Sequence, residues 1–324
     1  MSSRLASGSG PDARSDLSRL EQLARDYLED RQAAGLSPKT IEGDLRPRLE
    51  RVFLPWCARA GITDPAQLDQ RQMNRFVTDL RTRSGRRGPL SPHTIASYVK
   101  TANAFLAWLR REGEPVSGRA HRPRLPEREV EILTDAEVQA MVKLARPRDA
   151  LIVQLLAQSG IRVGELIGLR VQDLVEREVV LLDGRRERQV GIRAIGKGDR
   201  ERFVPIPPDL HRRLRVFARS RPPEAEGDRL WLSTRRDPRT GRYEPLTASG
   251  VQQMVRFLGR SALGRPVHPH LFRHTYISKL VRKGIDATVI RRYVGHASTV
   301  LIDRTYGHLR PQDTASLVLV ALRE

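Results

Sequence analysis

The sequence predicts a mainly α-helical protein with one small antiparallel β-sheet, split between a helical N-terminal domain and an α+β C-terminal domain. Three observations predict it. Apolar residues recur at three- and four-residue spacing along most of the chain, the pattern of helices with one buried face. Strand-like runs are confined to one stretch, residues 179–206. Between the halves, GEPVSGRAHRPRLPEREVE (113–131) holds three prolines and two glycines among its charges and has no periodicity, as an interdomain linker does.

Residues 1–15 are mostly Ser, Gly, Arg and Asp without an apolar period, so they read as a flexible tail, and a helical domain is expected over 16–112. Leu17, Leu20, Leu23, Ala24, Tyr27 and Leu28 mark its first helix. Ser37-Pro38-Lys39-Thr40-Ile41 gives an N-cap followed by proline at the first helical position, and the stripe continues through Leu45, Leu49, Val52, Phe53 and Trp56. Pro47 is expected to kink that helix or split it. Asp69 can cap a third helix carrying Met73, Phe76, Val77 and Leu80, and 84–89 reads as a loop. Ser91-Pro92-His93-Thr94-Ile95 repeats the earlier start signal and opens a helix through Leu109; the same capping chemistry is used twice, without duplication of a domain. In the second domain (132–324), Thr134-Asp135-Ala136-Glu137 is a capping box, and 150–158 is an apolar helix stopped by Ser159-Gly160. Strands follow at 179–182, 189–195 and 202–206, with Gly196-Lys197-Gly198-Asp199 as the turn between the last two. Everything after Pro208 reads as helical.

Charge narrows the function. Of 324 residues 58 are Lys or Arg and 38 are Asp or Glu, a net charge of +20, which calls for a polyanionic partner. Only Lys39, Lys100, Lys143, Lys197, Lys279 and Lys283 are lysines, so 52 of the 58 are arginines, whose planar fork suits phosphate oxygens. A GC-rich coding bias would also produce that ratio, though not the net charge. No apolar run approaches the roughly 18 residues of a membrane helix, the first residues lack the apolar core of a secretory signal, and Cys57 stands alone; a cytoplasmic protein without membrane contact is expected. There is no GxxxxGK[ST] loop, no Cys/His ligand set and no HExxH, which argues against a nucleotide-hydrolysing or zinc enzyme, so neither metal nor cofactor is expected.

What remains is a scatter of basic groups and one tyrosine. Arg162 follows a helix stop and has Glu165 one turn on, able to hold its guanidinium; with so many arginines, an ordinary surface residue is the better explanation of it taken alone. Lys197 is a scarce lysine at a Gly-flanked turn, or a solvated turn residue. His270 and Arg273 share a helix face at i and i+3. His296 follows Val294-Gly295, where capping or burial is the bland reading, and Tyr306 alone would be a packing residue. Together, however, two guanidiniums, two imidazoles and an ammonium can surround one phosphate and carry the charge that builds on its oxygens during phosphoryl transfer. The same cations would favour the phenolate of a tyrosine whose ordinary pKa is about 10.

At this point the chain resembles the tyrosine recombinases, or phage integrases. The matching segments are SGIRVGELIGLRVQDL (159–174), IGKGDRERFVPIP (195–207), HPHLFRHTYISKL (268–280) and VGHASTVLIDRTYGHL (294–309), whose order and spacing are far more specific than any one of them. The helical N-terminal domain is similar to the family's core-binding domain, which clamps DNA, so the resemblance covers about 16–322. It implies that Tyr306 attacks a phosphate of double-stranded DNA, forming a 3′-phosphotyrosine and freeing a 5′-hydroxyl, without ATP or metal. It further implies that Arg162 and Arg273 bind that phosphate, Lys197 protonates the leaving oxygen, His270 takes the tyrosine proton, His296 hydrogen-bonds a phosphate oxygen and Glu165 supports Arg162. Phe272 stands where the family often has Leu, a change that keeps an apolar residue, and the ten steps from His296 to Tyr306 mark a subgroup. The apolar pattern of DTASLVLVAL (313–322) suits a helix packed on its own domain or, as the resemblance implies, a C-terminal helix exchanged between protomers of a DNA-bound homotetramer, for which accessory DNA-bending proteins are candidate further partners. Two other readings stand beside the recombinase: an architectural DNA-binding protein without cleavage, and a type IB topoisomerase, which shares the phosphotyrosine.

Overall fold

The computed structural model describes residues 19–85, 88–125, 131–180, 183–196, 200–225 and 227–295. The chain divides into two compact units, Met1–Arg128 and Glu129–Glu324.

The first unit is helical. Helix α1 is Arg19–Ala33, and its buried residues Leu20, Ala24, Tyr27 and Leu28 fall on the expected stripe. Ser37 caps the next helical run by accepting from Thr40 N–H. That run, α2 (38–59), is neither split nor stopped by Pro47 or Pro55. Instead the ladder widens to π geometry over Ile41–Leu45 and Leu49–Phe53, where Arg46 N–H reaches Ile41 O and Leu54 N–H reaches Leu49 O. The five-residue step falls just ahead of each proline, so the missing N–H and the ring meet a turn that has already given up its usual bond. Helices α3 (Gln70–Thr82, capped by Asp69) and α4 (Pro92–Arg111, capped by Ser91) complete the unit. Between them the expected loop is a small hairpin, Ser84–Gly85 (β1) against Gly88–Pro89 (β2). An aromatic cluster fills the core: Phe53 meets Phe76 edge-on at 5.1 Å, Trp56 lies 5.0 Å from Phe76, and Tyr27 lies 5.5 Å from Phe105. The front of the expected linker is tied down here, with Val116 and Ala120 buried and Gly118 N–H donating to Leu68 O at 2.8 Å.

The second unit begins with α5 (Asp135–Leu144), whose Thr134–Glu137 capping box forms in both directions. Helix α6 (Pro147–Ser159) buries Leu151, Ile152, Val153, Leu155 and Leu156, hence nearly its whole circumference; such a helix belongs at a core centre. A short helix α7 (Val163–Gly168) leads to a three-stranded antiparallel sheet, β3 (Leu174–Val180), β4 (Arg186–Ile195) and β5 (Glu201–Pro205), in that order. Leu174, Ile192 and Val204 stand in register across it and are buried. After α8 (Pro208–Arg219) the chain is not all helical: β6 (Leu232–Arg236) pairs with β7 (Tyr243–Pro245). Arginines crowd that segment and hide its alternation, while the turn is made by Asp237, which accepts from Gly241 N–H, and by Gly241 at φ 67°. Helices α9 (Ala248–Leu263), α10 (Pro269–Arg282) and α11 (Ala287–Val294, capped by Asp286) follow. Phe272 is fully buried, and Ile277 and Val281 of α10 share a small cluster with Ile290 and Val294 of α11. No described helix is long and apolar enough to cross a membrane.

Candidate active site

Two helix ends build the site. Helix α6 stops at Gly160 (φ 59°) and α11 at Gly295 (φ 66°), each left-handed as glycine allows, and each end offers carbonyls with no partner inside its own helix. Arginines supply the partners. Arg273, on α10 and only 5% exposed, donates from Nη1 to Gly160 O at 2.7 Å and from Nη2 to Val294 O at 2.5 Å. Arg162 donates from Nη2 to Gly295 O at 2.7 Å. A cation at a helix C-terminus is favoured by the helix dipole, and a guanidinium this deeply buried requires such acceptors.

Glu165 fixes Arg162 as the sequence suggests. Its Oε1 accepts from Arg162 Nη1 at 2.9 Å, and its Oε2 accepts from the Arg162 backbone N–H at 2.9 Å, which caps α7. The carboxylate is shared with a residue the sequence reading passed over. Arg202, on β5, grips it with both terminal nitrogens, Nη1 to Oε1 at 2.9 Å and Nη2 to Oε2 at 2.7 Å, and sends its Nε–H to Tyr293 O at 2.8 Å. Burial pushes the Glu165 carboxyl up, but the Arg202 hydrogen bonds, the Arg162 N–H and both positive charges outweigh it, leaving the group below the ordinary carboxylate range. It is an anion inside the cationic cluster. Arg202 had one legible signal: it stands in phase with Val204 and Ile206 on the inward face of a strand, where an arginine needs a buried partner.

His270 sits on the first turn of α10, three residues before Arg273, and is an exposed residue. Partial burial, then the charges of Arg273 and Arg162, hold its imidazole below its ordinary value, so it is neutral and able to accept a proton near pH 7. His274, one turn on and half-buried, is lowered by burial and then by His270 and Arg273. The site thus gathers Arg162, Glu165, His270 and Arg273 from separate stretches of chain and adds Arg202. Lys197, His296 and Tyr306 lie outside the described residues, as do residues 1–15 and 313–322. The backbone leading to two of them is described: Gly196 N–H closes the β4–β5 hairpin on Arg200 O at 2.9 Å, and Gly295 directly precedes His296.

A profile of the phage integrase family matches residues 131–313, more than half the chain. The chain belongs to that family. Its activity is therefore site-specific recombination, the cleavage and rejoining of DNA by a tyrosine recombinase. It is 31% identical to the tyrosine recombinase XerA of Thermococcus kodakarensis, over 88% of this chain and 92% of that one. It is 27% identical to the tyrosine recombinase XerC of Xanthomonas campestris, over 95% and 89%. Among solved structures, the integrase of transposon Tn1549 in complex with a circular intermediate DNA superposes with a TM-score of 0.67, at 17% identity over 94% of this chain and all of that one. A lambda integrase dimer bound to a core site gives 0.62, at 14% identity over 89% and 77%. At those identities the structures establish the fold, mainly helical with small antiparallel β-structure as the sequence predicts, although three sheets stand among the described residues where one is expected.

Proposed function

We propose that recombination proceeds on double-stranded DNA through attack of Tyr306 on a scissile phosphate. The phenolic oxygen bonds to phosphorus and the 5′-oxygen leaves, giving a 3′-phosphotyrosine and a free 5′-hydroxyl; a partner strand's 5′-hydroxyl reverses the step and releases the tyrosine. One phosphodiester is exchanged for another, so no ATP is consumed. Arg162 and Arg273 bind the phosphate, Lys197 protonates the leaving oxygen, His270 receives the tyrosine proton, His296 hydrogen-bonds a phosphate oxygen and Glu165 orients Arg162. The helical unit clamps the duplex, and residues 313–322 dock on a neighbouring protomer in a homotetramer acting on DNA in the cytoplasm, with DNA-bending proteins as accessories.

The observation that supports this reading best is the meeting of Arg162 and Arg273 at two glycine-ended helix C-termini, with a neutral His270 one turn away. The test incubates wild-type and Tyr306→Phe protein with labelled supercoiled plasmid DNA in EDTA and resolves the products on a denaturing gel. A protein-linked DNA band from wild type alone is expected. Its absence on plasmid and on the DNA flanking this chain's own coding element would leave a DNA-binding protein without cleavage. Relaxation without exchange between two sites would instead favour a topoisomerase.

A further inference from the structure

Arg202 occupies a place that its own strand does not explain. Strand β5 needs an apolar residue on its inward face, as Val204 and Ile206 supply, yet Arg202 projects from that face opposite the buried Ala194. Its side chain is 12% exposed and that of its partner Glu165 only 6%, whereas Arg162, the third member, is 35% exposed and reaches outward. The buried pair therefore lies behind the arginine expected to touch DNA. A paired, planar fork on a carboxylate has one geometry, which a lysine's single ammonium cannot reproduce.

The same guanidinium also lies close to the residues that precede two further catalytic candidates. A Cβ built on Gly295, the residue before His296, would stand 3.0 Å from Arg202 Nη1. One built on Gly196, the residue before Lys197, would stand 3.5 Å from it and 3.5 Å from Glu165 Oε1. Arg202 Nε meanwhile holds Tyr293 O, in the last turn of α11. One side chain thus joins the start of α7, the hairpin of β4 and β5, and the end of α11.

We propose that Arg202 is a positioning residue for recombination: it clamps Glu165, and through Glu165 holds the Arg162 guanidinium in its reactive orientation. The role rests on the function proposed above, since it presumes that Arg162 binds the scissile phosphate. Arg202 takes no part in the bond changes. It removes the freedom of Glu165 to rotate, and with it the freedom of Arg162 to leave the line set by Gly295 O.

The test is a double-mutant cycle on the rate of covalent adduct formation with the supercoiled plasmid DNA that wild type attacks. Arg202→Gln is expected to slow adduct formation by about 10- to 100-fold, the scale of a misplacement of about an ångström in a reacting group, while plasmid binding measured by filter retention changes by less than about threefold, since Arg202 meets no DNA. Arg202→Lys keeps a cation beside Glu165, so the fold is retained, yet loses the fork; it shares most of the defect. In an Arg162→Ala background, Arg202→Gln adds nothing, because the group it positions is gone. Rate losses that multiply in the double variant, or fall in step with binding or melting temperature, would show a merely structural role and overturn the inference. A full-rate Arg202→Lys protein would do the same. Absence of any adduct from wild type would sink the recombinase reading itself, together with the role built on it.

Discussion

Replacing Gly160 with alanine tests the architecture of the site at its narrowest point. Gly160 has φ 59°, and a Cβ there would stand 2.5 Å from Cδ1 and 2.9 Å from Cγ of Tyr276. The left-handed backbone costs a non-glycine residue about 1–2 kcal/mol, and forcing one methyl against a packed ring costs about 1–3 kcal/mol. A central value of about 3.5 kcal/mol lowers the melting temperature of a unit this size by about 7–14 °C. Because Gly160 O is an acceptor for Arg273, displacement of the turn should also slow adduct formation. Calorimetry on wild type, Gly160→Ala, Tyr276→Leu and the double variant separates the two contributions. Tyr276→Leu opens space for the methyl, so the double variant keeps only the backbone cost, and the two substitutions are less than additive. A Gly160→Ala protein that melts within about 2 °C of wild type, equivalent to about 0.5–1 kcal/mol, would refute both the turn geometry and the contact.

Four further outcomes follow from the site, the charge and the C-terminal segment. The imidazole of His270 lies below its ordinary value of about 6.5, so adduct formation measured against pH should hold steady from neutrality down to that value and decline only beneath it, and His270→Gln should abolish that acid limb. The same depression has a stability sign: the unfolded chain binds the proton more tightly, so the contribution of His270 and His274 is intact above about 6.5 and is lost as pH falls through it, which urea midpoints at stepped pH will show. A net charge of +20 predicts DNA affinity that drops steeply between low and physiological salt; a flat titration would contradict phosphate contacts as its basis. Deleting residues 313–324 should leave single-protomer binding on a gel while weakening assembly, and unchanged assembly would exclude the exchanged tail.

Most local structure was legible because its causes are local. Ser37, Asp69, Ser91 and Thr134 cap the helices that follow them, and Gly160 ends the helix before it, each within reach of three or four residues. Two readings failed for reasons equally physical. Pro47 is expected to kink or split a helix, but the π turn Ile41–Leu45 just ahead of it removes the conflict, an adjustment that the proline's spacing along the chain does not announce. The β6–β7 hairpin is hidden because its strands are short and arginines crowd β6 and the turn, so its pairing is visible only once Leu232 faces Pro245.

By itself the sequence determined the helical stripes, the caps, the basic charge and the ordered set of segments holding Arg162, Lys197, His270, Arg273, His296 and Tyr306. Each of these depends on residue identity and short spacing. The tertiary structure alone decided which of 52 arginines share a carboxylate. Nothing within reach of Arg202 along the chain announces Glu165 or Tyr293, because a buried guanidinium is placed by acceptors that arrive from distant helices, and a sequence records spacing along the chain but not meeting across it.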